Sequence, residues 1–395
     1  MKAHQLTDTV QYWGAPDYNR RVFDSLLPIP EGTSYNAYLV RGSDKTVLID
    51  TVDPMMADRF TELLDQVPQV DHVVSLHAEQ DHSGSLPLVL ERYPDATLLC
   101  SPKAKPMLVD LLHLPAERLT PVDDGATLSL GDRTLRFLHT PWVHWPETMV
   151  AYLEEERVLF SCDFFGSHLS ASRPVVADAA RVMDAAKRYY AGIMMPFGKF
   201  IAKHLDKLAP LGIEIIAPSH GPVHQPPTAI LDAYDQWARG PLTGRVVIAY
   251  ETMHHSTESM VRTLTHALVD RGVEVEPFRL SEADLGRLVM SLLDATTLVL
   301  GTPTVLGGPH PQVLHAAYLL AALRPRVEVM GVIASSGWAP AKTAKILAEQ
   351  TATLSVERLE PVLCKGHPSD EDRAALVALA DAIAAEHDKR GVLAR

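Results

Sequence analysis

Apolar residues recur along the first 240 positions in short β-rich runs interrupted by stretches with helical spacing. The runs at 35–40, 45–51, 72–76, 96–101, 127–130, 134–139, 149–160 and 213–217 read as strands. Glu154, Glu155 and Glu156 read as a hairpin tip within 149–160. Helical spacing covers 54–66, begins again near Ser83 and from Pro102, and dominates 174–211 with a break at 195–198; a last helix spans 228–238. Strands alternating with helices, followed by more strands, predict a sheet sandwich flanked by helices, αββα in layer order. After the connector Arg239-Gly240-Pro241-Leu242-Thr243-Gly244 the pattern becomes regular βαβ. Strands at 246–250, 273–278, 297–301, 327–334 and 356–362 alternate with helices near 257–271, 282–293, 311–323, 341–352 and 370–387. Such alternation predicts a doubly wound, five-stranded parallel sheet. The chain is therefore read as α/β with two domains, 1–240 and 245–395.

Composition narrows the class. A length of 395 residues with 47% hydrophobic content is enough for two cores. No apolar run reaches the roughly eighteen residues of a spanning helix, and the N-terminus lacks a signal peptide's apolar centre, so a cytoplasmic protein without a membrane partner is expected. Cys100, Cys162 and Cys364 are scattered and odd in number, which predicts reduced, buried thiols. A net charge of −13 argues against nucleic acid as a partner.

Candidate chemistry concentrates in Ser75–Pro87, SLHAEQDHSGSLP, where His77, Glu79, Asp81 and His82 sit on a strand-to-helix turn. Packing has no use for two imidazoles and two carboxylates on one tight turn. Nitrogen and carboxylate oxygen suit a first-row transition metal, and the lack of thiolate argues against a structural zinc cage or an iron–sulfur cluster. His144, Asp163 and His220 each stand just past a β-rich run, where α/β folds gather their sites. A lone loop histidine is ordinarily solvated or hydrogen-bonded, and His72, His139 and His224 are read that way.

In the second domain, three loops at strand C-termini carry the chemistry. Thr252-Met253-His254-His255-Ser256-Thr257 joins strand to helix with three hydroxyls and no Lys or Arg. Backbone N–H groups, hydroxyls and the helix's positive end suit a phosphate monoester, and missing Walker and G-x-G-x-x-G patterns argue against a triphosphate or dinucleotide. Thr302-Pro303-Thr304-Val305-Leu306-Gly307-Gly308 and Ser335-Ser336-Gly337-Trp338-Ala339 follow the third and fourth strands. Their glycines allow close backbone approach to a ring, and Trp338 offers an aromatic wall.

The spacing His77-x-Glu79-x-Asp81-His82 resembles the metallo-β-lactamase signature, with glutamate where that signature has its second histidine. The swap is characteristic of flavodiiron proteins, also called A-type flavoproteins. GTSYNAYLV (32–40), HSGSLP (82–87), HWPE (144–147) and APSHGP (217–222) match that family in the same order. The resemblance implies a metallo-β-lactamase-like domain followed by a flavodoxin-like one. It implies that His77, Glu79 and His144 hold one iron and Asp81, His82 and His220 the other, with Asp163 bridging, and that His168 lies near the irons as an outer orienting group, a proton source or a structural residue. It implies FMN on the three loops, with His254 and His255 at variable positions that need no catalytic role. The implied reaction reduces O2 to water, NO to N2O, or both. With the chain ending at Arg395, no rubredoxin or flavin-reductase module follows, so electrons are expected from a separate rubredoxin-like protein or a reduced deazaflavin, and a homodimer or homotetramer is implied. Two rivals remain: a zinc hydrolase, whose signature puts His where Glu79 stands, and a flavodoxin-type electron carrier using the second domain alone.

Overall fold

The computed structural model describes residues 3–393 except 172, 176, 177 and 339. The chain divides into two compact units, one made of 1–190 with 197–239 and the other of 240–395 with the short segment 191–196.

In the first unit, a seven-stranded sheet runs His4–Gln5, Val10–Asp17, Thr33–Arg41, Thr46–Ile49, His72–Val74, Thr97–Cys100, Leu119–Pro121. A five-stranded sheet runs Thr127–Ser129, Thr134–His139, Met149–Leu153, Val158–Cys162, Ile215–Pro218. The central strands are apolar at nearly every position because both faces are covered. Tyr38, Val40, Val47, Ile49 and Val74 pack with Phe137, Ala151, Phe160 and Ala217 between the sheets. Their alternate neighbours Ala37, Leu39, Leu48 and Val73 meet Phe60, Leu63, Leu86 and Val89 beneath helices. The period of two thus sorts one strand's side chains between two cores, giving the αββα sandwich.

Sequence periodicity missed one strand here. Val10–Asp17 pairs antiparallel along its whole length with Thr33–Arg41, although Gly14 and Pro16 weaken its pattern. The helix expected near Ser83 starts earlier: Gln80–Ser83 is already helical, and after Gly84 and Ser85 a second helix spans Leu86–Arg92. Asp81 and His82 therefore sit in a helical first turn.

The second unit's sheet is parallel. Taking Thr243–Tyr250, Glu274–Arg279, Ala295–Val305, Val329–Ser336 and the last edge as first to fifth, the order is 2-1-3-4-5. Helices Ser256–Val269 and Asp370–Lys389 bury Met260, Leu264, Leu376, Leu379 and Ile383 against Val246, Ile248, Val299 and Ile333. Helices Pro311–Leu323 and Pro340–Gln350 pack on the third and fourth strands. The edge expected as one strand over 356–362 is two, Glu357–Arg358 and Val362–Lys365, both paired with Val329–Ser336. Pro361, which has no N–H to donate, lies in the break. No helix among the described residues is long and apolar enough to cross a membrane.

Candidate metal centre

The first unit's candidate ligands sit at the carboxyl ends of its strands, where an α/β fold leaves its crevice. His77, Glu79, Asp81 and His82 follow His72–Val74, Asp163 follows Val158–Cys162, and His220 follows Ile215–Pro218. His144 lies in the connection from Thr134–His139 to Met149–Leu153. Packing the two sheets face to face brings all seven side chains together. His77 Nε2 is 3.1 Å from Glu79 Oε2 and 3.4 Å from Asp163 Oδ2, and His144 Nε2 is 3.1 Å from each of those oxygens. On the other side, His82 Nε2 is 3.3 Å from Asp81 Oδ1 and 3.0 Å from Asp163 Oδ1, while His220 Nε2 is 3.2 Å from Asp81 Oδ2 and 3.4 Å from Asp163 Oδ1. Asp163 thus turns one oxygen to each group.

These contacts are close without being satisfied. Both oxygens of Asp81, both ring nitrogens of His82 and Asp163 Oδ1 are buried and make no hydrogen bond of proper geometry. Orphaned buried polar atoms are costly and rare, and several converging at one place suit cations held between them. Burial works against charge on the imidazoles, yet Glu147 and Glu79 lift His77 to about 10, Asp81 and Asp163 lift His82 to about 10, and Asp163 and Glu79 lift His144 to about 10. Asp163 is held well below the usual carboxylate range against its own burial, chiefly by His82 and His144. Such a pocket calls for positive charge.

In the second unit, the three loops gather at the carboxyl end of the sheet. Thr252 is buried with its hydroxyl unpartnered, whereas Thr257 Oγ1 lies 2.9 Å from Ser335 Oγ. His255, at φ +63°, caps the helix Ser256–Val269 without a side-chain bond, so the N–H groups of its first turn lack a capping acceptor. Met253, His254 and His255 face outward. In the second loop, Thr302 and Pro303 are buried, and Thr304 and Val305 pair with Gly308 and Pro309 across Leu306 and Gly307. Both turn residues have positive φ, the two-residue hairpin geometry that favours glycine. Leu306 is 97% and Trp338 65% exposed, an unusual waste of apolar surface unless something covers it. Ser336 is buried with a free hydroxyl, Gly337 is exposed, and Ala339 lies outside the described residues.

A family model described as ODP family beta lactamase matches residues 33–221. The chain is 37% identical over 361 residues to a nitric oxide reductase of Moorella thermoacetica, covering 89% of this chain and 90% of the relative. Among solved structures, it is similar to rubredoxin oxygen:oxidoreductase from Desulfovibrio gigas, with TM-score 0.93, 30% identity and coverage of 98% and 99% of the two chains. It is also similar to a flavo di-iron protein variant from Thermotoga maritima, with TM-score 0.87, 26% identity and 98% coverage of each chain. The chain belongs to the flavodiiron protein family.

Several residues that shape this flavodiiron pocket carry no ligand signature of their own. Asp50 is 1% exposed; its Oδ1 accepts from Leu76 N–H at 2.8 Å and its Oδ2 from the Ser219 hydroxyl at 3.1 Å. One carboxylate therefore ties together the residues just before His77 and His220. Ser34, Asn36 and Tyr38 share one face of Thr33–Arg41 and grip the His220 loop. Asn36 Nδ2 donates to the carbonyls of Pro218 and Gly221 at 2.8 and 2.7 Å, Tyr38 to Pro218 at 2.7 Å, and Gly221 N–H to Ser34 Oγ at 2.9 Å. Gly221 has φ +76°, and a Cβ there would meet Ser167 Oγ at 2.1 Å. The period-two placement of Ser34, Asn36 and Tyr38 in GTSYNAYLV was the available hint. His168 stands outside the ligand set, its Nδ1 3.0 Å from Thr33 Oγ1 and its ring tilted at 40° against Phe23, the centroids 4.3 Å apart. Burial, reinforced by His220, holds its pKa well below the ordinary histidine value, so it is neutral. His139 and His224 bond backbone carbonyls of Val122 and Phe165.

Proposed function

We propose that this chain is an oxidoreductase that reduces O2 to water, NO to N2O, or both, with paired non-haem irons in the first unit and FMN on the second. Electrons come from a rubredoxin-like protein or a reduced deazaflavin, and the working assembly is a homodimer or homotetramer. The observation that carries the reading is Asp163, whose two oxygens address two separate groups of ligands and so suit two ions rather than one. His77, Glu79 and His144 would hold one iron, Asp81, His82 and His220 the other, and Asp163 would serve both. The donors are nitrogen and carboxylate oxygen, which iron accepts readily. Cys162 lies beside this set, its sulfur within reach of His82 and Asp163, and burial with the neighbouring carboxylates of Asp50 and Asp163 pushes its thiol well up.

When bound, two ferrous ions supply two electrons and reduced FMN two more, the four that take O2 to two waters, while two suffice to take two NO to N2O and water. The protein's part is placement. Glu79 and His144 keep 17% and 12% of their side chains exposed and Asp81 9%, while the other four ligands keep 2% or less, so the pocket is most open beside Glu79 and His144. In the second unit, Thr252, Ser256 and Thr257 with the helix N-terminus would receive the phosphate, the 302–308 hairpin and the 335–338 loop would border the ring, and Trp338 would offer it an aromatic wall. His168 remains a neutral neighbour that Thr33 orients.

Anaerobic analysis of purified protein for iron and FMN, followed by stopped-flow oxidation of the reduced protein with each gas, tests this. About two irons and one FMN per chain with rapid oxidation are expected. Zinc in a colourless protein would sink the reading and favour a hydrolase. Comparable rates with both gases would mark a dual enzyme.

A further inference from the structure

Each imidazole that turns one nitrogen to the metal pocket has a second nitrogen to place, and the rings differ in how they do so. His77 Nδ1 lies 2.6 Å from Glu147 Oε1, which also accepts from Ala78 N–H at 3.0 Å. His220 Nδ1 donates to the Ser34 carbonyl at 2.8 Å. His82 Nδ1 is buried without a hydrogen-bond partner. His77 thus has a carboxylate hydrogen-bonded to its rear nitrogen, whereas His220 has a carbonyl there and His82 has no such bond.

Glu147 is not an incidental surface acid. It is 2% exposed, and its backbone is pinned where its carbonyl accepts from Ser101 Oγ at 2.6 Å. Its Oε2 has no partner, so both of the hydrogen bonds that compensate the buried charge converge on Oε1. A carboxylate so placed needs Nδ1 of His77 to carry the proton, which leaves the Nε2 lone pair facing Glu79 and Asp163. It also makes that imidazole a stronger electron donor. The two ligand groups share Asp163. Beyond it, the His77 group has Glu79 plus Glu147 hydrogen-bonded behind the ring, and the second group has Asp81, with the buried Asp50 acting on His82 through space and not through a hydrogen bond.

We infer that Glu147 is a positioning residue that fixes the His77 tautomer and makes the two metal subsites unequal, the His77–Glu79–His144 group binding its ion more tightly and favouring the higher oxidation state. The inference rests on the paired-iron reading above. It is tested by stripping the full chain of metal and titrating ferrous iron back anaerobically, with a denaturant melt of the first unit, followed through Trp13, Trp142, Trp145 and Trp237, as the check on folding. Wild-type protein should take two irons in two unequal steps. Glu147→Ala should weaken the tighter step by about 10- to 100-fold and leave the other within about twofold. Glu147→Gln, which keeps the shape and the acceptor oxygen but not the charge, should weaken the same step less. It carries the test if the alanine variant does not fold. In both variants the reduction midpoint of the iron pair should move to more positive potential.

Equal steps in the wild type, or variants that alter both steps alike or neither, would overturn the inference while leaving paired iron intact. Failure of the wild type to take two irons would instead overturn the reading on which it rests.

Discussion

The two candidate cofactor ends of this protein are prepared in opposite ways. The metal pocket is built from buried side chains whose backbone supports are tied down by Asp50, Ser34, Asn36 and Tyr38. The candidate flavin end presents Leu306 almost bare and Trp338 largely exposed, with free hydroxyls at Thr252 and Ser336. The difference follows from what each must hold. Clustered carboxylates repel one another and cost solvation, so a pocket of them persists only if the surrounding fold fixes every member. A ring bound by stacking and by backbone N–H groups asks less of its loops in advance, since the cofactor itself supplies the apolar surface they lack.

The hardest blow to this contrast is removal of the residue both metal groups share. Asp163→Ala should empty both iron positions and slow gas turnover by more than about 100-fold, a larger loss than outer-sphere changes cause, while flavin content stays level. Metal analysis and stopped-flow oxidation read both; a variant that still turns over gas would mean that the second unit works alone as a carrier.

Next comes the support without the ligands. Asp50→Ala leaves the buried Leu76 N–H and Ser219 hydroxyl without their acceptor and should lower the first unit's stability by about 3 kcal/mol in denaturant melts. No change would show that the pocket is not pre-set by this carboxylate.

Acid should act on the same unit. His224, whose Nε2–H donates to the Phe165 carbonyl at 3.0 Å, is buried neutral, and burial pushes its pKa down to about 4. The unfolded chain takes up that proton below about pH 6.5. Between those values the unfolded state binds more protons, so stability falls as pH drops from about 6.5 towards about 4 and then levels off, by up to about 3 kcal/mol. Melts followed through Trp13, Trp142, Trp145 and Trp237 should show this slope, and His224→Gln should make it shallower, leaving the part that the buried His168 contributes. The smallest effect belongs to the exposed end. Trp338→Ala should weaken flavin binding by about 10-fold, measured by fluorescence titration, and leave iron content unchanged.

Much of this was legible before folding. The helical and strand periods foretold both layer architectures, because burial on one or two faces imposes them locally. Exceptions arose where local cues conflict with tertiary pairing. Val10–Asp17 is a full strand despite Gly14 and Pro16, since its partner Thr33–Arg41 supplies the ladder. The last edge is split near Pro361 although its apolar pattern runs on.

The chain's residue types and spacing determined on their own that nitrogen and carboxylate donors crowd one turn, that more follow at strand ends, and that hydroxyl- and glycine-bearing loops close the second sheet. Those are properties of neighbours in sequence. Tertiary structure alone decided that Asp163 faces two groups, that Asp50 reaches Ser219, 169 residues away, and that Glu147 stands behind His77. A hydrogen bond or a shared ion depends on separations of about 3 Å, and across so long a stretch of chain only the packing of one sheet on another sets distances that small.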